Sequence, residues 1–353
     1  MKVVIFINKL QGGGAERVAC ALANYLFDKG IDVELMVFSK IDTPYNLNQK
    51  IKVHALLTEG KVKPAYKMKL FRALKKYVEA HQVDTYICFL PLSIIIMLLN
   101  RAHTNSQIVV SERNNPENYS RIIRFLLKRL MIRADKIVFQ TKNAREWYAN
   151  NIQLKNTCII PNAVNNDFIV PLYSGQRRKV IVAVGRLVKQ KNFALLINAF
   201  KNISSKYSDY ELRIFGEGPE RSNLEEIIAA NKLENRVLLM GQSNNIVKQI
   251  QDASIFVLSS DFEGMPNALI EAMALGLPCI STDCRGGGAK FLIQNNMNGI
   301  LVPINDVNSL SSAIDKLLRD PDYSKSIGEA AYMFSKSLAP ESIYEKWFNF
   351  ICD

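Results

Sequence analysis

The stretch "SIFVLSSDFEGMPNALIEAMALGLPCISTD" covers residues 254–283. An apolar run, "SIFVLSS", leads into a short polar turn. Residues 266–275 then read as a helix, with Pro266 suited to its first turn, where a missing N–H costs nothing. "PCISTD" reads as the next strand. Strand, helix, strand is the building unit of a parallel sheet. Downstream of residue 178 the same alternation includes "KVIVAVGR", a helix over 192–206, "ELRIFG", a helix over 219–231, "RVLLMG" and a helix over 244–252. The first half behaves likewise. "KVVIFIN" is a buried strand, "GAERVACALANYLFDKG" a helix closed by Gly30, and "DVELMVFS", "DTYICFL", "QIVVSE" and "KIVFQT" are further strands. Between the halves lies a polar stretch, "NNDFIVPLYSGQRR" (165–178), which reads as a linker. The expectation is an α/β protein of two doubly wound, Rossmann-like domains, residues 1–165 and 176–335. A helix over about 340–353 is expected to pack back on the first. In such sheets ligands bind outside the carboxyl ends of the strands, where strand order reverses.

The chain has 353 residues, enough for two cores. Its formal charge of +12 is unevenly placed. Residues 1–175 hold 25 Lys and Arg against 13 Asp and Glu, whereas residues 176–353 hold 20 of each. The excess belongs to the first half, which implies an anionic partner there. Six cysteines without metal spacing suit a reduced compartment. The N-terminus has too short an apolar run for a signal peptide. "YICFLPLSIIIMLLN" (86–100), broken by Pro91 and Ser93, falls short of the ~18 apolar residues of a membrane span and reads as a buried strand followed by a buried helix. His54, His81 and His103 are scattered, and Asp320 and Asp322 flank a proline at a helix junction, so no metal site is expected.

Several loops at strand ends suit phosphate. "LQGGGAER" joins the first strand to its helix, and its glycines either make a tight turn or let backbone amides approach an anion. The dinucleotide fingerprint fails, because Arg17 stands where a third glycine would be needed. The GxxxxGK[ST] loop of nucleotide hydrolases is absent. "VGRLVKQKN" (184–192) places Arg186 and Lys191 past a strand end, where two cations suit a diphosphate. "GEGPER" (216–221) and "CRGGGAKF" (284–291) add glycine-rich helix starts. Within "EGMPNALIE", Glu263 lies in the loop and Glu271 more than a turn into the helix. Two acids beside the amides of Gly264, Met265, Pro266 and Asn267, of which only proline lacks an N–H, would repel a bare phosphate. They suit a ligand with hydroxyls as well as phosphates, such as a nucleotide sugar.

Taken together, "GGAER" (13–17), "IPNAV" (160–164), "VGRLVKQKN", "FGEGPER" (215–221) and 259–287 resemble family 4 of the retaining nucleotide-sugar glycosyltransferases, which have the GT-B fold of two such domains facing a central cleft. The last piece carries the family's Glu-seven-residues-Glu motif. The resemblance implies that Glu263 lies by the donor sugar and leaving group, that Glu271 binds the nucleotide ribose, and that Arg186 and Lys191 hold the diphosphate. It implies that the loop with Gly13 and Gly14 closes over the phosphates and that the nucleotide is uridine-linked. "VVSERNNPENY" (109–119) resembles a subset that builds bacterial surface polysaccharides and lipid-linked oligosaccharides. Many relatives have a histidine facing the donor sugar where this chain has Arg113.

The implied reaction moves a sugar to a hydroxyl of a lipid-linked or glycan acceptor, without a metal cofactor. The acceptor is expected on the first domain. There the helix over 64–80 puts Tyr66, Leu70, Phe71, Leu74, Tyr77 and Val78 on one face, with Lys67, Arg72, Lys75 and Lys76 towards the other. "SRIIRFLLKRLMIR" (120–133) repeats the theme. Both suit an anionic membrane surface, so the protein is expected to be cytoplasmic and peripheral on the inner face of the cytoplasmic membrane. Nucleic acid is not expected, because no stacking aromatics interleave the basic runs. The alternatives are a nucleotide-sugar epimerase of similar fold and a non-catalytic basic membrane-binding module.

Overall fold

A computed structural model describes residues 1–10, 13–39, 46–57 and 64–353. Gln11 and Gly12 of the glycine-rich loop lie outside the described residues. The chain forms two compact units, residues 1–162 with 341–353, and residues 163–340.

The first unit is built on a seven-stranded, all-parallel sheet. Its strands are β1 (Lys2–Phe6), β2 (Asp32–Val37), β3 (Lys52–Ala55), β4 (Thr85–Phe89), β5 (Gln107–Glu112), β6 (Lys136–Phe139) and β7 (Thr157–Ile159), in the order β3-β2-β1-β4-β5-β6-β7. Its helices are α1 (Gly14–Asp28), α2 (Pro64–Ala80), α3 (Pro91–Leu99), α4 (Arg121–Leu130) and α5 (Lys142–Ala149). Every central strand is buried on both faces, which is why these strands read as continuous apolar runs instead of alternating ones. One core joins Val4, Phe6, Tyr86, Cys88, Val110 and Phe139 of the sheet to Leu70, Leu74 and Tyr77 of α2. The edge strand β3 and the polar helix α5 extend the sequence reading. Each is short, with few apolar residues to announce it.

The second unit repeats the plan. Its strands are β8 (Arg178–Val184), β9 (Glu211–Phe215), β10 (Val237–Gly241), β11 (Ala253–Leu258), β12 (Cys279–Thr282) and β13 (Ile300–Val302), in the order β10-β9-β8-β11-β12-β13, all parallel. The helices are α6 (Phe193–Ser204), α7 (Arg221–Ala230), α8 (Ile246–Ile250), α9 (Asn267–Ala274), α10 (Gly288–Leu292), α11 (Val307–Arg319) and α12 (Pro321–Ser335). Pro266 caps α9 from just outside, with extended backbone, so the helix starts one residue later than its sequence suggests. Asp320 is the N-cap of α12 and accepts from the Tyr323 N–H, which makes the Asp-Pro-Asp stretch a helix junction.

The last helix, α13 (Pro340–Cys352), contributes residues 341–352 to the first unit. Trp347 is fully buried and stacks near Phe89 of β4, with ring centroids 6.0 Å apart. Glu345 pairs with Lys29 at 2.9 Å and accepts a hydrogen bond from Tyr25. The Lys136 ammonium donates to the Phe350 carbonyl at 2.8 Å. A buried indole is the main apolar anchor of this return. Trp347→Ala is therefore expected to lower stability by about 3–5 kcal/mol, read as a fall in the denaturant midpoint.

Candidate active site

Strand order reverses at β1/β4 in the first unit and at β8/β11 in the second. The segments leaving β8 and β11 carry Arg186, Lys191 and Glu263. Cross-loop hydrogen bonds hold these segments together. Asp261 N–H donates to the Gln190 carbonyl at 2.9 Å, Gln190 Nε2 to the Phe262 carbonyl at 2.8 Å, and Ser259 Oγ to the Lys191 carbonyl at 2.8 Å. Asn192, in the left-handed region with φ 45°, caps α6 and donates to Asp261 Oδ1 at 2.8 Å. The next loop joins in, because Glu263 N–H donates to the Arg285 carbonyl at 2.9 Å.

Within this frame Lys191 and Glu263 meet. Lys191 Nζ lies 2.5 Å from Glu263 Oε1, which also accepts from Ser260 Oγ at 2.8 Å. Both side chains are largely buried, with 17% and 10% exposure. Two glycines permit the close packing. A side chain at Gly216, where φ is +141°, would strike the Gly185 carbonyl, and one at Gly288 would come within 2.0 Å of the Gly264 carbonyl. Gly264 thus packs against the start of α10, while Met265 and Pro266 are buried and Asn267 is half-buried. Glu271 is buried on α9, and Arg186 is exposed. Burial pushes the Cys284 thiol up to about 12, with the Glu263 charge adding to the effect, so this cysteine is not an activated nucleophile.

The first unit gathers a second set at its strand ends. Gly13, with extended backbone, precedes Gly14 at the start of α1, and a side chain there would strike the carboxylate of the buried Glu16. Arg113 follows β5 and is buried. Its Nη2 donates to Asn162 Oδ1 at 2.6 Å, which also accepts from Gln140 Nε2 at 2.7 Å. The guanidinium carbon stands 5.4 Å from the Phe89 ring centroid. Nε and Nη1 are buried with no hydrogen-bond partner among the described residues. Burial lowers the Arg113 pKa to about 10, against the opposing influence of Tyr344 and Glu112. Glu112 accepts from Tyr119 at 2.6 Å and from Tyr148 at 2.8 Å, and burial raises its pKa. Among the described residues no group of three or more His, Cys, Asp or Glu is placed to hold a metal ion.

Residues 12–168 match Glycosyltransferase Family 4, and residues 167–334 match Glycosyl transferases group 1. A Campylobacter jejuni protein, N-acetylgalactosamine-N,N'-diacetylbacillosaminyl-diphospho-undecaprenol 4-alpha-N-acetylgalactosaminyltransferase, is 32% identical over 95% of both chains. The chain belongs to glycosyltransferase family 4. It is 25% identical to the amylovoran biosynthesis glycosyltransferase AmsD of Erwinia amylovora over 98% of both. Its fold matches that of Anabaena HepE in complex with UDP, with a TM-score of 0.83 at 17% identity, covering 100% of both chains. This glycosyltransferase therefore has the GT-B fold.

The sequence motifs gave Lys191 and Glu263 separate tasks, and the structure joins them as an ion pair. Asn162, Gln140 and Glu112 escaped the sequence reading of the site. Each lies at or just past the end of β5, β6 or β7, and only the order of those strands in the sheet makes them neighbours.

Removing one member of the glycosyltransferase's buried pair strands the other charge. Lys191→Met is expected to cost roughly 3 kcal/mol, and Lys191→Met with Glu263→Gln less than the sum of the two single changes. Thermal unfolding of all four proteins checks this. Glu112 supplies a second test. Its folded pKa is raised above the ordinary 4.5, so its contribution to stability is full below that value and is lost as pH rises through the folded pKa. Glu112→Gln is expected to flatten this fall in the stability-versus-pH curve.

Proposed function

We propose that this glycosyltransferase moves a sugar from a uridine diphosphate sugar to a hydroxyl of a lipid-linked or polysaccharide acceptor, with retention of anomeric configuration, in bacterial cell-surface glycan synthesis. The observation that carries the reading is the Lys191–Glu263 pair, held at the β8/β11 reversal by loops that also bear Arg186. The names of the relatives support the acceptor class, and the UDP complex of the structural neighbour supports the nucleotide. The transferred group is a hexosyl or N-acetylhexosaminyl unit.

In the reaction the bond between the anomeric carbon and the diphosphate oxygen breaks, and the acceptor oxygen bonds to that carbon on the same face. The acceptor's proton passes to the departing diphosphate. Negative charge grows on the diphosphate as an oxocarbenium-like centre forms. Arg186 and Lys191 oppose that charge, and one well-aimed donor is worth roughly 3–4 kcal/mol in such a step. Glu263 accepts hydrogen bonds from the sugar. Its pairing with Lys191 lets a carboxylate sit near phosphate without full repulsion. Glu271 accepts from the ribose hydroxyls, and the amides of Gly264, Met265 and Asn267 line the phosphates. Arg113 takes the place of the relatives' histidine towards the donor sugar. No metal is required when fixed cations and helix starts neutralise the leaving group.

The positive charge excess of the first half supports a position on the inner face of the cytoplasmic membrane, within reach of a lipid-linked acceptor. Among the described residues no helix is long and apolar enough to cross a membrane. An epimerase would need the donor site and no acceptor; a non-catalytic module would need neither.

Glu271→Ala is expected to weaken UDP binding by at least about tenfold, the loss of one charged hydrogen-bond acceptor. Calorimetry with UDP measures it, and unchanged affinity overturns the ribose assignment. Donor turnover with a membrane lipid extract, followed by NMR of the anomeric proton, separates a retaining transferase from an epimerase.

A further inference from the structure

The two basic helices of the first unit look alike as sequence and differ as surfaces. In α2 the apolar stripe is used up: Tyr66, Leu70, Leu74, Tyr77 and Val78 belong to the core. Met68 alone stands out as a large exposed apolar side chain among the described residues of that helix. In α4 only Leu127 and Leu130 are fully buried. Ile122 and Phe125 point outward with 72% and 59% exposure, and Ile132, in the turn that follows, has 60%.

At about 100° per residue, Ile122 and Phe125 lie some 60° apart on the helix. Arg129 falls between them, its guanidinium carbon 5.4 Å from the Phe125 ring centroid. Arg121 and Lys128 both lie beyond Phe125 on the same side of the helix. Residues 118–134 hold five Lys and Arg and no Asp or Glu. The half-buried Trp147 lies under the Lys128 ammonium, 4.7 Å from ring centroid to nitrogen. Beside this face runs a groove of ≈ 750 Å³, lined by Phe125, Lys128, Arg129, Ile132, Leu154 and Lys155 among others. Three large apolar side chains on a segment whose own charges are all positive are costly to leave in water. They suit a partner that is apolar within and anionic at its surface. A bilayer with anionic headgroups has both properties at the depth of a helix lying in the interface.

We propose that α4 and the turn after it are the element that enters the membrane. Ile122, Phe125 and Ile132 reach the acyl boundary, while Arg121, Lys128 and Arg129 engage lipid phosphates. The basic face of α2 contributes attraction without insertion. This rests on the membrane reading above and goes beyond it by assigning the inserting side chains.

The test uses the full chain and sedimentation with vesicles of phosphatidylcholine and phosphatidylglycerol. The variant I122S/F125S/I132S is expected to partition at least about tenfold more weakly, from the loss of three apolar side chains. An unchanged melting temperature would show that it folds. If the parent binds and the triple variant binds equally well, the assignment to α4 fails while the membrane reading stands. If the parent does not bind anionic vesicles, the membrane reading fails and the inference with it. A second measurement does not depend on the triple variant's folding. Bromine-labelled acyl chains are expected to quench Phe125→Trp beyond the parent's two tryptophans, and Met68→Trp on α2 no more than the parent. Equal quenching of the two variants overturns the proposal.

Discussion

The parallel pairing of β8 with β11 is the constraint on which the arrangement of the second unit depends. Ile255 pairs with Ile181 and Phe256 with Val182, so both strands deliver their following loops to the same sheet edge. Their helices leave on either side because strand order turns at this point. That leaves room at the edge for polar groups that no packed helix covers. Residues 72 positions apart thereby come together as the Lys191–Glu263 pair. Backbone carbonyls of Lys191, Gln190, Phe262 and Arg285 are committed to holding the frame, which leaves side chains for the ligand.

Three buried ionisable groups are accommodated by three different means. Glu263 has a cation and a serine hydroxyl. Glu112 has two tyrosine hydroxyls and the Asn114 amide, which are neutral donors, and burial still raises its pKa. Arg113 has one amide oxygen and an aromatic face, with two nitrogens left over. A charged hydrogen bond is stronger than a neutral one, so the three sites differ in how readily they exchange a partner for a ligand. Glu112 is a braced structural acid. Glu263 alone of the three is held by an opposite charge. Arg113 has the most unfilled donor capacity.

Sheet and surface also divide labour in the first unit. Its charge excess is carried by helices whose inner faces are already spent on the core. What distinguishes α4 from α2 is how much apolar area remains outside once packing is complete. On the proposal above, that remainder separates a helix merely attracted to an anionic surface from one that enters it.

The runs "KVVIF", "TYICF" and "KVIVAV" determined the fold on their own, because strands buried on both faces must be apolar throughout, and long separations between parallel strands leave room for helices. The Glu-seven-residues-Glu motif likewise located the candidate site, since glycine and proline mark the loop and the periodic run marks α9. Short edge elements such as β3 and α5 were illegible because few apolar residues announce them. The tertiary structure alone decided that Lys191 closes on Glu263, that Asn162 and Gln140 converge on Arg113, and that Ile122 and Phe125 stay outside while Leu70 and Leu74 go in. Each depends on which strand ends become neighbours and on which side of a helix meets the core. Helical spacing fixes a face, and only the neighbour packed against it fixes which way that face turns.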